Sequence, residues 1–394
     1  MISEKMKTLI GNSSIIRAMF EEGKKLSAIY GEENVFDYSL GNPNVEPPEE
    51  IKKAIIDIIN EEPQNLVHGY MNNSGYEDVR SEIAEFINKK NNTNLTKDNI
   101  IMTCGAAGGL NVILKTLLNP EDEVIVIAPF FGEYANYVSN FNGKLVVVQS
   151  NKETFQPDVE ELEKSITEKT KAIIINTPNN PTGVIYSDES LKKMAKVIKK
   201  KEAEYGTSIY LISDEPYKEL VYDGVEVPYL LNYHKNSFIG YSYSKSLSLP
   251  GERIGYIVVN SEMDDFDCVI QALNVANRIL GFVNAPSLFQ RVIARTLGAE
   301  VDVNIYKKNR DLLYNHLINL GFECVKPEGA FYLFPKALID DDKEFAKAAK
   351  KYNLLIVPGS SFGCPGYFRL SYCISYDKIE KSLDAFTKLA EEFK

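Results

Sequence analysis

One lysine, Lys245, follows the apolar run SFIGYSYS (237–244) and precedes a second, RIGYIVV (253–259). Burying an ammonium group in such surroundings is costly, yet a desolvated lysine that turns neutral is a nucleophile able to form a Schiff base. Taken alone, a lysine is usually a solvated surface group. A second charge, Asp214 in SDEPY, closes another apolar run. A carboxylate there needs a partner, because an unpaired buried charge is expensive; a helix N-cap accounts for it equally well. The stretch TCGAAGGL, starting at Thr103, has small residues that let backbone approach a ligand. N–H groups at the helix start it predicts suit a phosphate, although neither a GxGxxG pattern nor a Walker lysine is present. Asn180 in NNPTG reads as a turn residue before proline.

Lysine, strand-end carboxylate, phosphate-suited turn and the aromatic Phe131 in APFFGEY together point to pyridoxal phosphate. The elements that must position them follow from the apolar pattern. NIIMTC (99–104), DEVIVIAP (122–129), KLVVVQ (144–149), KAIIINTP (171–178), SIYLISDEP (208–216) and SFIGYSYS (237–244) read as fully buried strands, and RIGYIVV adds a hairpin strand. Amphipathic helices lie between several of them. One is YEDVRSEIAEFINKK, with Val79, Ile83, Phe86 and Ile87 on one face and a capping box expected from Ser74 and Glu77.

Strands apolar on both faces that alternate with helices predict a largely parallel sheet covered on both sides. Ligands of such sheets bind outside the carboxyl ends of the strands, where the polar residues above fall. After about residue 300 the texture changes to a helical stretch (299–320), short strands around FECVKPEGAFYLFP, LLIVPG and YFRLSYC, and a closing helix from about 376. The expected fold class is α/β. A large domain, 46–300, holds a mostly parallel seven-stranded sheet, and a smaller α+β domain is built from both termini, 1–45 and 301–394.

The 394 residues carry 44% hydrophobic and 25% charged side chains, an ordinary globular balance. No apolar run approaches the roughly 20 residues of a membrane span, and the N-terminus lacks the apolar core of a signal peptide, so a cytoplasmic location is expected. The net charge of −11 argues against nucleic acid and anionic membranes as partners. Five scattered cysteines form no CxxC pair, and His68, His234 and His316 form no HExxH, which disfavours a metal site or a Ser-His-Asp triad.

NNPTG, SDEPY, SYSKSLSLPGERIGY, KPEGAFYLFP, VPGSSFG and RLSY, in that order from about Gly41 to Arg369, resemble the class I/II aminotransferases of the fold type I pyridoxal phosphate enzymes, the aspartate aminotransferase-like superfamily. The resemblance implies the following roles. Lys245 joins the cofactor as a Schiff base and shuttles the substrate's α-proton. Asp214 pairs with the pyridinium nitrogen, while Tyr217 and Asn180 hydrogen-bond the ring oxygen. Phe131 stacks on the ring, where many relatives have tryptophan or tyrosine. The N–H groups of Ala106 and Ala107, with Ser242 and Arg253, hold the phosphate. Tyr70 reaches the phosphate of a neighbouring subunit, which implies a homodimer with shared sites. Arg369 binds the substrate α-carboxylate, helped by Gly41 and Asn180.

The implied reaction moves an amino group from an amino acid, with aspartate or aromatic donors favoured, to a 2-oxo acid, with 2-oxoglutarate the expected acceptor. Arg278 falls near the position from which relatives send an arginine across the dimer to a second carboxylate; a surface helical arginine is the other reading. Two rivals remain: a carbon–sulfur β-lyase of the same fold type, which shares every cofactor contact, and a non-catalytic effector-binding module that uses the same fold. The intact Lys245, Asp214 and Arg369 argue against the second.

Overall fold

The computed structural model describes residues 2–11 and 15–394. Met1 and residues 12–14, part of the segment assigned to the smaller domain, lie outside the described residues. The strands in chain order are β1 Phe36–Asp37, β2 Ile100–Thr103, β3 Glu123–Ala128, β4 Lys144–Gln149, β5 Thr170–Asn176, β6 Tyr210–Asp214, β7 Ser237–Ser242, β8 Gly255–Val259, β9 Tyr332–Leu333, β10 Leu354–Leu355, β11 Val357–Pro358 and β12 Phe368–Ser371.

Seven of them form one sheet in the order β2-β8-β7-β6-β5-β3-β4. Only β8 runs against its neighbours, β2 and β7. The other six strands therefore end on the same edge of the sheet. Their runs of isoleucine and valine suit strands covered on both faces, and alternate side chains enter different packing clusters. Ile100, Met102, Ile125, Ile127, Ile173 and Ile175 pack on one side. Ile101, Val124, Val126, Ala172 and Ile174 pack on the other, under the helix Gly105–Leu117.

Three local expectations are corrected. KLVVVQ is not a fully buried strand: β4 is the sheet's edge, has one neighbour, and leaves Val147 exposed. The capping box at Ser74 does not form. The helix Glu77–Asn91 starts after Tyr76 without a side-chain cap, and the Ser74 hydroxyl donates instead to Asn274 Oδ1 at 2.6 Å. The helical stretch 299–320 is shorter than its pattern, running Val303–Asn319 from an Asp302 cap.

A further cluster gathers Phe36 and Tyr38 with residues from Val301 to Ala390, and also takes in Tyr217, Leu220 and Tyr222. Here β1 pairs in parallel with β10, and β9, β12 and β11 form a small antiparallel sheet. The Tyr38 carbonyl accepts from the Ser371 amide, so the N-terminal strand is tied to β12. This brings the arginine of β12 against the edge where the large sheet's strands end.

Candidate active site

That edge lines a cavity of about 290 Å³. Leu40, Gly41, Ala106, Ala107, Phe131, Asn180, Asp214, Tyr217, Ser242, Lys245, Arg253 and Arg369 all face it. Tyr70 does not: it is 93% exposed. Arg278, near the end of the helix Phe266–Ile279, is also exposed and outside the cavity lining.

Lys245 sits in a single helical turn, Tyr243–Ser246, capped by Ser242 Oγ accepting from the Ser244 amide. Its Nζ donates to the Gly41 carbonyl at 2.5 Å and lies 5.5 Å from the centre of the Phe331 ring. Burial pulls the ammonium down to about 8, with Arg369 and Arg253 pushing the same way against Cys373. A lysine in that range exchanges its proton near neutral pH, as a nucleophile or base must. Gly41 must be glycine, because a Cβ there would stand 2.1 Å from the Tyr332 hydroxyl.

Asp214 is the last residue of β6, and its Oδ2 accepts from the Tyr134 hydroxyl at 2.7 Å. Its Oδ1 is buried and has no hydrogen-bond partner. Desolvation lifts the carboxyl to about 7, opposed by the Tyr134 hydrogen bond and aided by Glu215. No helix starts here, so the N-cap reading of Asp214 fails. The turn after β6 carries Tyr217, whose hydroxyl lies 2.8 Å from that of Tyr332.

Ala106 and Ala107 belong to the first turn of Gly105–Leu117, where amide N–H groups lack intrahelical acceptors. Gly105 has φ of +69°, and a Cβ on it would meet Arg253 Nη2 at 2.6 Å. Arg253 itself holds the left-handed backbone at φ 54°, a cost of roughly 1–2 kcal/mol that returns its guanidinium to the helix start. Its Nη1 donates to the Pro250 carbonyl and, at 3.3 Å, to Ser244 Oγ.

Arg369, 2% exposed, donates from Nη1 to Asn180 Oδ1 at 3.0 Å and from Nη2 to the Ser39 carbonyl at 2.5 Å. Its Nε has no partner, and the guanidinium lies between the rings of Tyr332 and Phe362 at 4.7 and 4.8 Å. Among the described residues no carboxylate pairs with it, and burial holds it below its ordinary value.

The sequence reading missed Tyr134, Tyr332 and Ser39. Tyr134 closes the stretch APFFGEY, and its position three residues after Phe131 places it within reach of the neighbouring strand ends; that was a usable signal. Tyr332 lay within KPEGAFYLFP, where only the fold joins it to Tyr217. The cavity can therefore present a fixed cation fork, a nucleophilic amine, an unpaired carboxylate oxygen and a turn of free N–H groups to one small ligand.

A family model described as aminotransferase class I and II matches residues 33–386. The chain is 32% identical over 373 residues to a probable aspartate/prephenate aminotransferase of Aquifex aeolicus, covering 91% of this chain and 92% of that protein. It is 31% identical over 395 residues to an aromatic-amino-acid aminotransferase 2 of Thermococcus litoralis, covering 97% of each. Its fold superimposes on the crystal structure of an amino transferase from Eubacterium rectale with a TM-score of 0.97, at 44% identity and complete coverage of both chains.

Proposed function

The chain belongs to the class I and II aminotransferases, and from that premise we propose that its cavity binds pyridoxal 5'-phosphate and transfers an amino group from an amino acid to a 2-oxo acid, with 2-oxoglutarate as acceptor. One observation carries this reading. Three groups, the half-buried Lys245 amine and the buried Asp214 Oδ1 and Arg369 Nε, line one cavity, and among the described residues none is held in an ion pair. Each matches a part of the cofactor–substrate pair: an aldehyde carbon, a ring N–H and a carboxylate.

When bound, the cofactor supplies the electron-accepting ring that makes the substrate's α-proton removable. The chain's own residues do the rest. Asp214 would face the ring nitrogen, where a positive charge would favour its ionised form. Tyr217 and Asn180 would donate toward the ring oxygen, and Phe131 would cover the ring face. Ala106, Ala107, Ser242 and Arg253 would hold the phosphate through N–H groups, a hydroxyl and a guanidinium. Arg369 grips the α-carboxylate with its planar fork, which fixes the α-carbon beside Lys245. Lys245 then takes and returns the proton at that carbon, and the Gly41 carbonyl orients its amine.

Tyr70, exposed on one chain, completes the phosphate site of a second copy in a homodimer. The unit 46–300 carries the cofactor, and the unit formed by 1–45 and 301–394 carries Arg369. Within one chain the cavity's cations are Lys245, Arg253 and Arg369, each already assigned. Its remaining wall includes Leu40 and Tyr137. Aromatic and other uncharged donors fit that wall, whereas aspartate requires a further cation, for which Arg278 of a second copy is the candidate.

A panel of donors with 2-oxoglutarate tests the reading. Glutamate should accumulate, and Arg278→Ala should depress kcat/KM for aspartate alone by roughly 30-fold, the loss expected when one partner of a desolvated charge pair is removed. Equal loss for both donor classes, or none, removes Arg278 from the site. Pyruvate released from a β-substituted donor without glutamate formation would overturn the transferase reading in favour of elimination.

A further inference from the structure

Tyr332 lines the cavity between the residue assigned to the substrate carboxylate and a residue assigned to the ring oxygen. Sheet register puts it there. Tyr332 of β9 stands directly opposite Ser371 of β12, so Arg369, two residues along the same face of β12, is its diagonal neighbour. The guanidinium lies 4.7 Å from the centre of the Tyr332 ring. The Tyr332 hydroxyl lies 2.8 Å from that of Tyr217, and the two rings meet edge-on at 5.6 Å and 81°. Gly41 backbone closes on the same hydroxyl, so it has little freedom to move.

A phenol has one hydrogen to donate. If Tyr217 turns its hydrogen into the cavity, the contact between the two hydroxyls is made only when Tyr332 donates to Tyr217. A hydrogen bond received on a phenol oxygen polarises that phenol's own O–H and makes it a stronger donor. The Arg369 cation beside the Tyr332 ring stabilises negative charge on Tyr332, and so makes Tyr332 a stronger donor in turn. Burial raises both tyrosines, Tyr332 to about 12 and Tyr217 well above its ordinary value, and Arg369 opposes the rise in each. The other titratable groups acting on the pair are Asp214 of β6 and Cys373 just after β12, with Lys245 acting on Cys373. A carboxylate on the Arg369 fork cancels the cation's pull.

We propose that Tyr332 is a positioning residue that couples the occupancy of Arg369 to the strength with which Tyr217 donates into the cavity. The coupling rests on the assignment of Tyr217 to the cofactor's ring oxygen. A donor to that oxygen stabilises the deprotonated chromophore, so weakening the donor raises the chromophore's protonation midpoint. The path differs from the direct Arg369–Asn180 hydrogen bond, which Tyr332→Phe leaves in place along with the ring beside Arg369.

The test is a visible-absorbance pH titration of the cofactor-loaded enzyme with and without saturating acetate, a carboxylate that cannot donate an amino group. In the wild type acetate should raise the midpoint. In Tyr332→Phe the acetate-free midpoint should already lie higher by about half to one pH unit, the worth of one ordinary hydrogen bond, and acetate should raise it by less. In a Tyr217→Phe background the same change should add nothing. Wild-type midpoints in Tyr332→Phe, an undiminished acetate shift, or additive effects in the double variant would each overturn the relay. A wild type that shows no visible band with the cofactor would sink the assignment of the cavity itself, which is a different failure.

Discussion

Arg310 and Arg369 are both buried arginines stacked against tyrosine rings, at 4.7 Å from Tyr222 and from Tyr332 respectively, and they keep opposite company. Arg310, 1% exposed, is held by Asp223 and Asp311, each at 2.8 Å, and by the Pro327 carbonyl. Among the described residues Arg369 has two neutral oxygens as partners and an unpartnered Nε. Burial works to lower both, but the two carboxylates leave Arg310 above its ordinary value, while Arg369 falls below it. The lysines repeat the pattern. Lys218 is paired at 2.8 Å with Glu215 and packs on Tyr229, whereas Lys245 donates to a carbonyl. A buried charge without a counter-charge costs several kcal/mol, and a ligand bound in the cavity offsets that cost by bringing the missing opposite charges.

The comparison breaks first, and most visibly, at the arginines. Lysine keeps the charge but loses the planar fork. Arg369→Lys should lower kcat/KM for every donor alike, by roughly 30-fold or more for a loss of about 2–5 kcal/mol. Arg310→Lys should leave KM for the amino donor unchanged and instead lower stability, by the roughly 0.5–3 kcal/mol usual for a disrupted buried contact. Steady-state kinetics and thermal melts of both variants check this. An Arg310 variant that weakens substrate binding as much as the Arg369 variant would erase the distinction.

A smaller effect sharpens the comparison at Asp214, the uncompensated anion. In the cofactor-free protein its carboxyl is raised from 3.8 to about 7 by desolvation. The folded chain therefore holds a proton that the unfolded chain has released across that window. The contribution to stability is fully present below pH 4 and is lost as pH rises through about 7. Measured against Asp214→Asn, wild-type stability should fall between these limits by an amount on the order of a few kcal/mol. A difference that stays flat with pH would mean that Tyr134 and solvent already satisfy the carboxylate.

The sequence shows these two classes of charge unequally. The strands β2 to β8 were legible because isoleucine and valine fill both faces of a covered sheet; β4 misled because its composition resembles that of its neighbours while its place at the edge depends on topology. Lys245, Asp214 and Asn180 stood out because strand ends bring such residues together. Whether a charge is paired could not be read. Asp223 and Arg310 are distant in the chain, as are Tyr134 and Asp214 or Tyr217 and Tyr332, and only packing makes them neighbours. The Ser74 capping box failed for the same reason, since Asn274 competes for its hydroxyl from a distant helix.

The two half-buried lysines allow the most direct test. Borohydride reduction of the cofactor-treated protein fixes a Schiff base as a stable amine, and peptide mass spectrometry locates it. A pyridoxyl adduct is expected on Lys245 and none on Lys218, whose ammonium is held by Glu215. Modification of another lysine, or of none, with Lys245 recovered unlabelled, would contradict the assignment of Lys245 as the cofactor's lysine.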